Sequence, residues 1–167
     1  MKKPTYVNAM LMLLLTLSLC ISAASAVGTG IVYVTNNTGV QQGETATASI
    51  WLSNNFNPKA GSFTFAVYFN ESVVNATDVS VAEGFSPPPG RSSGMKFAGA
   101  TGSGYPNSTV PFWVANVTFR ALTNDGSSTP VGIALKTLED GNGDDLIPST
   151  TVQNGTFSTE DVVLPVI

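Results

Sequence analysis

The segment Asp140-Gly141-Asn142-Gly143-Asp144-Asp145 sets oxygen-bearing side chains at alternate positions, the pattern with which a calcium loop begins. The pattern then breaks. Asp145 stands where a helix-flanked calcium loop turns on glycine, and Thr151 stands where that loop carries its bidentate glutamate. Asn142-Gly143 is also a turn signal between two strands. The segment therefore reads first as a tight turn, and second as a weak cation site formed by Asp140, Asn142, Asp144 and Asp145 with Glu139 beside them. Calcium is the one cofactor the sequence leaves open.

Catalysis has few instruments here. The 167 residues include no histidine, which removes the commonest general base, the commonest neutral metal ligand and every Ser/His or Cys/His nucleophile arrangement. The single cysteine, Cys20, can build neither a disulfide framework nor a thiolate metal site. A two-carboxylate glycosidase survives these filters but calls for a cleft-bearing scaffold for which the chain is short. The expectation is a protein that is not an enzyme, with no catalytic residue to nominate.

Two other residue classes carry chemistry. N-x-[ST] sequons begin at Asn36, Asn70, Asn75, Asn107, Asn116 and Asn154, each a candidate for a glycan on an extracellular surface. Trp51 and Tyr68 are aromatic residues that strand alternation turns away from the core, where a sugar ring could stack on them. They fall on different strands, and we expect different sheets.

The elements that must position these residues are strands. Lys2 and Lys3 followed by an apolar run from Ala9 to Ile21 and the small residues Ala24-Ser25-Ala26 read as a cleavable secretory signal over residues 1–26, too short to span a membrane. The mature domain is then 27–167. Loss of Lys2 and Lys3 from the 7 basic residues leaves 5 against 11 acidic ones, a surface that makes nucleic acid a poor partner. From Ile31 on, short runs of Val, Ile, Thr and Phe alternate with Gly, Pro, Asn and Ser clusters, and no stretch has helical periodicity. Strands are predicted over 31–35, 45–54, 61–69, 73–81, 95–100, 112–122, 131–138 and 156–164. Ala46, Ala48, Ile50 and Leu52 share one face, as do Phe63, Phe65, Val67 and Phe69, and alternation through 112–122 turns Trp113, Ala115, Val117 and Phe119 inward and Val114 outward. The fold class is all-β: a two-sheet antiparallel β-sandwich with jelly-roll topology and about nine strands.

Several runs in this order resemble the cohesin domain, the β-sandwich module that receives dockerin-bearing proteins in cellulosome-type assemblies. Gly61-Ser62-Phe63-Thr64-Phe65-Ala66-Val67-Tyr68-Phe69-Asn70 followed by Ser72-Val73-Val74 is similar to that family's aromatic third strand and the turn after it. Ala115-Asn116-Val117-Thr118-Phe119-Arg120-Ala121 resembles its long central strand, and Val152-Gln153-Asn154-Gly155-Thr156-Phe157 its closing strand. Residues 86–94, where the family places a fifth strand, are proline-rich.

The resemblance implies a secreted, non-catalytic module that docks a dockerin-type domain in an extracellular or cell-surface assembly linked to polysaccharide. The face it would use comprises Thr64, Ala66, Tyr68, Lys96, Ala98, Ala134 and Lys136. The same sandwich superfamily includes carbohydrate-binding modules, so a polysaccharide bound by Trp51 or Tyr68 is the alternative partner. A structural cell-surface protein is the third reading.

Overall fold

The computed structural model describes residues 28–106 and 108–162. The secretory segment with Cys20, the sequon at Asn107 and the end of the last predicted strand lie outside the described residues. Among the described residues no helix is long and apolar enough to cross a membrane.

Eleven strands are described: β1 (Gly30–Val34), β2 (Asn37–Val40), β3 (Thr45–Asn54), β4 (Ala60–Tyr68), β5 (Val74–Val81), β6 (Phe85–Ser86), β7 (Met95–Ala100), β8 (Ser108–Ala121), β9 (Ser128–Asp140), β10 (Thr150–Gln153) and β11 (Gly155–Thr159). They form two sheets, a five-stranded one in the order β10-β1-β3-β8-β5 and a six-stranded one in the order β2-β11-β9-β4-β7-β6. From β3 to β5 and again from β7 to β11, successive strands alternate between the sheets, so each sheet is assembled from distant parts of the chain and neither exists without the other. This is the all-β sandwich expected, with short strands β2, β6 and β10 added to the predicted set.

Residues 36–44 fall between the first two predicted strands, yet Asn37–Val40 is a strand that runs parallel to β11. The other parallel pairing joins β10 to β1. The chain changes sheets at Thr35 and Asn36. There the Thr35 N–H donates to the Ser49 carbonyl (3.0 Å), the Thr35 hydroxyl accepts from the Ser49 N–H (2.9 Å), and Asn36 Oδ1 accepts from the Thr156 N–H (2.8 Å). The crossing is close enough that a β-carbon on Gly155 would lie 2.7 Å from the Thr35 carbonyl oxygen, which accounts for glycine there.

The core lies between the sheets. β4 contributes Phe63, Phe65 and Val67, all fully buried, with Phe69 just beyond its end, and β3 contributes Ala48, Ile50 and Leu52, as the alternation predicts. Phe65 stacks on Phe97 of β7 with ring centroids 4.8 Å apart, and Phe119 of β8 meets Phe69 at 4.9 Å and Phe157 of β11 at 6.0 Å.

One inward assignment is overturned. Ile50 pairs with Ala115 but Trp51 pairs with Trp113, so Val114 is an extra residue in β8. Val114 is fully buried, and Trp113 lies half-buried beside Trp51 on the outer face. Strict alternation cannot register a bulge, because the inserted residue shifts the phase of everything before it.

Candidate docking surface

The outer face of the six-stranded sheet is built where β4 lies between β7 and β9. Its register sets Thr64 against Ala98 and Ala66 against Lys96 on one side, and Thr64 against Thr137 and Ala66 against Ala134 on the other. Directly paired residues in an antiparallel ladder project from the same face. Thr64, Ala66, Lys96, Ala98 and Ala134 therefore form one patch spanning three strands. Tyr68 continues it along β4 opposite Gly132, and Lys136 occupies a bulge in β9 between Leu135, which pairs with Phe65, and Thr137.

Within the patch, Lys96, Ala98, Lys136 and Tyr68 are exposed and Thr64 and Ala134 are half-buried. Ala66 is correctly placed on this face but has no accessible surface of its own, so it forms the floor of the patch. The result is a flat area of methyl and hydroxyl groups with two ammonium groups at its margins and one aromatic ring, 45% exposed, at one end.

The edge beyond β7 is short and pinned. Phe85 and Ser86 pair with Gly99 and Ala98, after which Pro87-Pro88-Pro89 supplies no ladder donors and the chain leaves the sheet. The returning loop is tied to the end of β4. The Phe69 N–H donates to Ser93 Oγ (3.0 Å), the Ser93 N–H donates to Glu71 Oε1 (2.6 Å), and the Gly94 N–H donates to the Val67 carbonyl (2.7 Å). Tyr68 thus stands between two shallow grooves. One of about 310 Å³ runs past Pro88, Pro89 and Met95, and one of about 390 Å³ past Asn70, Thr129 and Asn154.

At the opposite end of the same sheet lies a groove of about 590 Å³ lined in part by Lys59, Ser62, Thr101, Glu139 and Asp140. Its two carboxylates have separate engagements. Glu139 Oε2 accepts from the Ser62 hydroxyl (3.2 Å), while Asp140 is buried and its Oδ1 accepts the N–H groups of Asn142 (2.7 Å) and Asp144 (3.0 Å). The Asp140 N–H donates to the Asp144 carbonyl, Gly143 has φ +89°, and Glu139 bridges Asp145, so the acidic segment is the tight turn expected. The Asp145 carboxylate accepts from the Ile147 N–H (2.9 Å). Among the described residues no three acidic, thiol or imidazole groups converge as a metal site. The carboxylates of Asp140 and Asp145 organise backbone instead.

Trp51 lies on β3 and Tyr68 on β4, in different sheets, so the two do not make one sugar platform. Of the sequons, Asn36, Asn70, Asn75 and Asn154 are exposed and Asn116 is half-buried. Tyr105 was missed by sequence reading. It is 2% exposed with its hydroxyl unpartnered, and burial pushes the phenol up to about 12. Nothing in the Gly- and Ser-rich run 101–108 marks a tyrosine as core.

No protein-family model and no curated protein matches the sequence. Solved structures do match. A non-cellulosomal cohesin from the hyperthermophilic archaeon Archaeoglobus fulgidus superposes with a TM-score of 0.64 at 18% identity, over 78% of this chain and 91% of its own. The sixth cohesin of scaffoldin B from Acetivibrio cellulolyticus, solved in complex with a Cel5 dockerin variant, gives 0.65 at 16% identity over 79% and 99%. The Coh-OlpC cohesin of Clostridium thermocellum, solved with the dockerin Doc435, gives 0.64 at 13% over 83% and 98%. The sandwich described above is the cohesin fold.

Proposed function

We propose that this chain is a non-catalytic, extracellular docking module that receives a dockerin-type domain on the outer face of its six-stranded sheet. The observation that carries the reading is the agreement between a fold shared with cohesins solved in dockerin complexes and a flat, small-residue patch on one sheet. Methyl and hydroxyl groups at Thr64, Ala98 and Ala134 let a partner approach the sheet closely. Tyr68 offers an aromatic anchor at one end, and Lys96 and Lys136 favour an acidic rim on the partner. Ala66 supports the patch from beneath rather than touching the partner. The secretory reading of residues 1–26 supports placement outside the cell.

The test is capture from the culture fluid and cell envelope of the source cells, with the wild-type chain and an Ala98→Asp variant immobilised side by side. The expected result is retention by the wild type, and loss by the variant, of proteins that share one short domain. That domain, produced alone, should bind the wild type in calorimetry. Equal retention by both chains, or no binding by the isolated domain, overturns the proposal.

A further inference from the structure

The bulge that turns Trp113 outward assembles a feature the docking reading does not use. On the outer face of the five-stranded sheet Tyr33 pairs with Trp51, and Trp51 pairs with Trp113, so three aromatic residues sit in register across the adjacent strands β1, β3 and β8. With neighbouring strands about 4.8 Å apart, the row extends roughly 10 Å across the sheet. All three are half-buried, and among the described residues none makes a ring contact with another aromatic. The immediate neighbours of the row are uncharged, Ser49 and Ser53 on β3, Asn116 on β8 and Gln153 opposite Tyr33, while Asp78 and Arg120 lie farther along the same face.

Asn116 opens the sequon Asn116-Val117-Thr118, and among the described residues it is the one sequon asparagine bonded to an aromatic side chain. Trp113 Nε1 donates to Asn116 Oδ1 at 2.9 Å. That bond fixes the amide beside the indole and engages Oδ1, so that among the described residues Nδ2, the atom a glycan takes, has no hydrogen bond. The cross-strand neighbours of Asn116 are Ser49 and Ser80, small residues that leave room above the sheet. Asn36, Asn70 and Asn154 also accept through Oδ1, but from backbone N–H groups rather than from an aromatic ring, and Asn75 lies opposite Arg120.

We propose that Asn116 carries an N-linked saccharide whose first ring lies on the Trp113 indole and whose continuation crosses Trp51 toward Tyr33. The C–H face of a sugar ring is apolar and suits an indole face, while its hydroxyls reach the surrounding serine and amide groups. In the transfer, Nδ2 bonds to the anomeric carbon of a saccharide activated as a lipid diphosphate. The bond from that carbon to the phosphate oxygen breaks, the lipid diphosphate leaves with the electron pair, and Nδ2 gives up one proton. A membrane oligosaccharyltransferase, separate from this chain, catalyses the step, with Thr118 supplying the required hydroxyl of the sequon.

Both tryptophans of the chain stand in this row, so intrinsic fluorescence reports on it alone. The full chain purified from its native cells should yield a peptide containing Asn116 with a saccharide mass, absent in Asn116→Gln and Thr118→Val. Thr118→Val keeps Asn116 and its bond to Trp113. In Thr118→Val, or in wild type after release of the saccharide from the folded protein, acrylamide quenching of tryptophan should rise about twofold as the indoles lose cover, with the circular dichroism of the sheets unchanged. An unmodified Asn116 in the native protein overturns the proposal, as does quenching that does not change when the saccharide is gone. Neither measurement involves a docking partner, so this inference and the docking reading stand or fall separately.

Discussion

The two sheets distribute their large residues in opposite ways. The six-stranded sheet turns its aromatics inward, with Phe63, Phe65, Phe85, Phe97 and Phe157 in the core, and shows solvent mainly alanine, threonine and lysine around Tyr68. The five-stranded sheet packs mostly Val, Ile, Leu and Ala inward, with Phe119 as its fully buried ring, and carries Tyr33, Trp51 and Trp113 outside. Interlocked rings brace a sheet from within and leave its outer surface flat, the condition for a rigid partner to approach. An aliphatic inner layer with aromatics outside leaves the opposite surface suited to a ligand that stacks. The two outer faces therefore differ in character according to where the rings of each sheet go.

The strongest way to break this contrast is to remove a ring from the bracing layer. Phe65 is fully buried, stacked on Phe97 and 4.8 Å from Phe63. Phe65→Ala should cost about 3–5 kcal/mol in chemical denaturation, the range for buried aromatic truncation. Trp51→Ala on the outer face should cost clearly less. Equal losses would mean that the outer row is as structural as the inner one.

A second test overfills the same layer. Gly99 of β7 faces the core, and a β-carbon there would lie 2.6 Å from both Phe85 Cδ1 and the Tyr105 hydroxyl. Gly99→Ala should destabilise by about 1–3 kcal/mol and loosen β6 from the edge of the six-stranded sheet. Amide exchange at Phe85 and Ser86 would show the loosening. Unchanged protection there would separate the edge strand from the ring layer.

Tyr105 sharpens the comparison through pH. Its folded-state pKa of about 12 stands above the ordinary phenol value of 10.0, because burial disfavours the phenolate. Folding therefore favours the neutral phenol, and its contribution is complete below pH 10 and lost as the unfolded chain ionises first between pH 10 and 12. The loss approaches 2–3 kcal/mol, in order of magnitude, near the upper end of that window. Tyr105→Phe should remove this difference and be neutral or slightly stabilising at pH 7, since the buried hydroxyl has no partner to lose. Parallel pH profiles for the two proteins would contradict the assignment.

Much of this contrast could be read in the sequence and some could not, for definable reasons. The faces of β3 and β4 follow from period-two alternation, because each strand is buried on one side only and a one-residue slip would invert it. The aromatic row stayed hidden because a single inserted residue, Val114, reverses the direction of Trp113, and no composition signal marks the insertion. β2, with the sequence Asn-Thr-Gly-Val, has no strand pattern and owes its state to pairing with β11. That Thr64, Ala66, Tyr68, Lys96, Ala98 and Ala134 share one outer face was legible, but not how accessible each one is. Ala66 shares the outward direction of Thr64 and Tyr68, yet has no exposed surface.

The smallest expected effect is the most discriminating. Ala98 is exposed on the outer face, pairs with Thr64 and Ser86, and has no buried group that a larger side chain would displace. Ala98→Asp should change stability by no more than about 0.5 kcal/mol, as surface substitutions away from special features do. A carboxylate at the centre of a close-approach surface would nevertheless be desolvated against the partner, a penalty large enough to abolish binding at micromolar concentration. Stability without binding is the signature of a recognition surface. If the variant were destabilised, the patch would belong to the fold; if it were stable and still bound, the partner would contact another face.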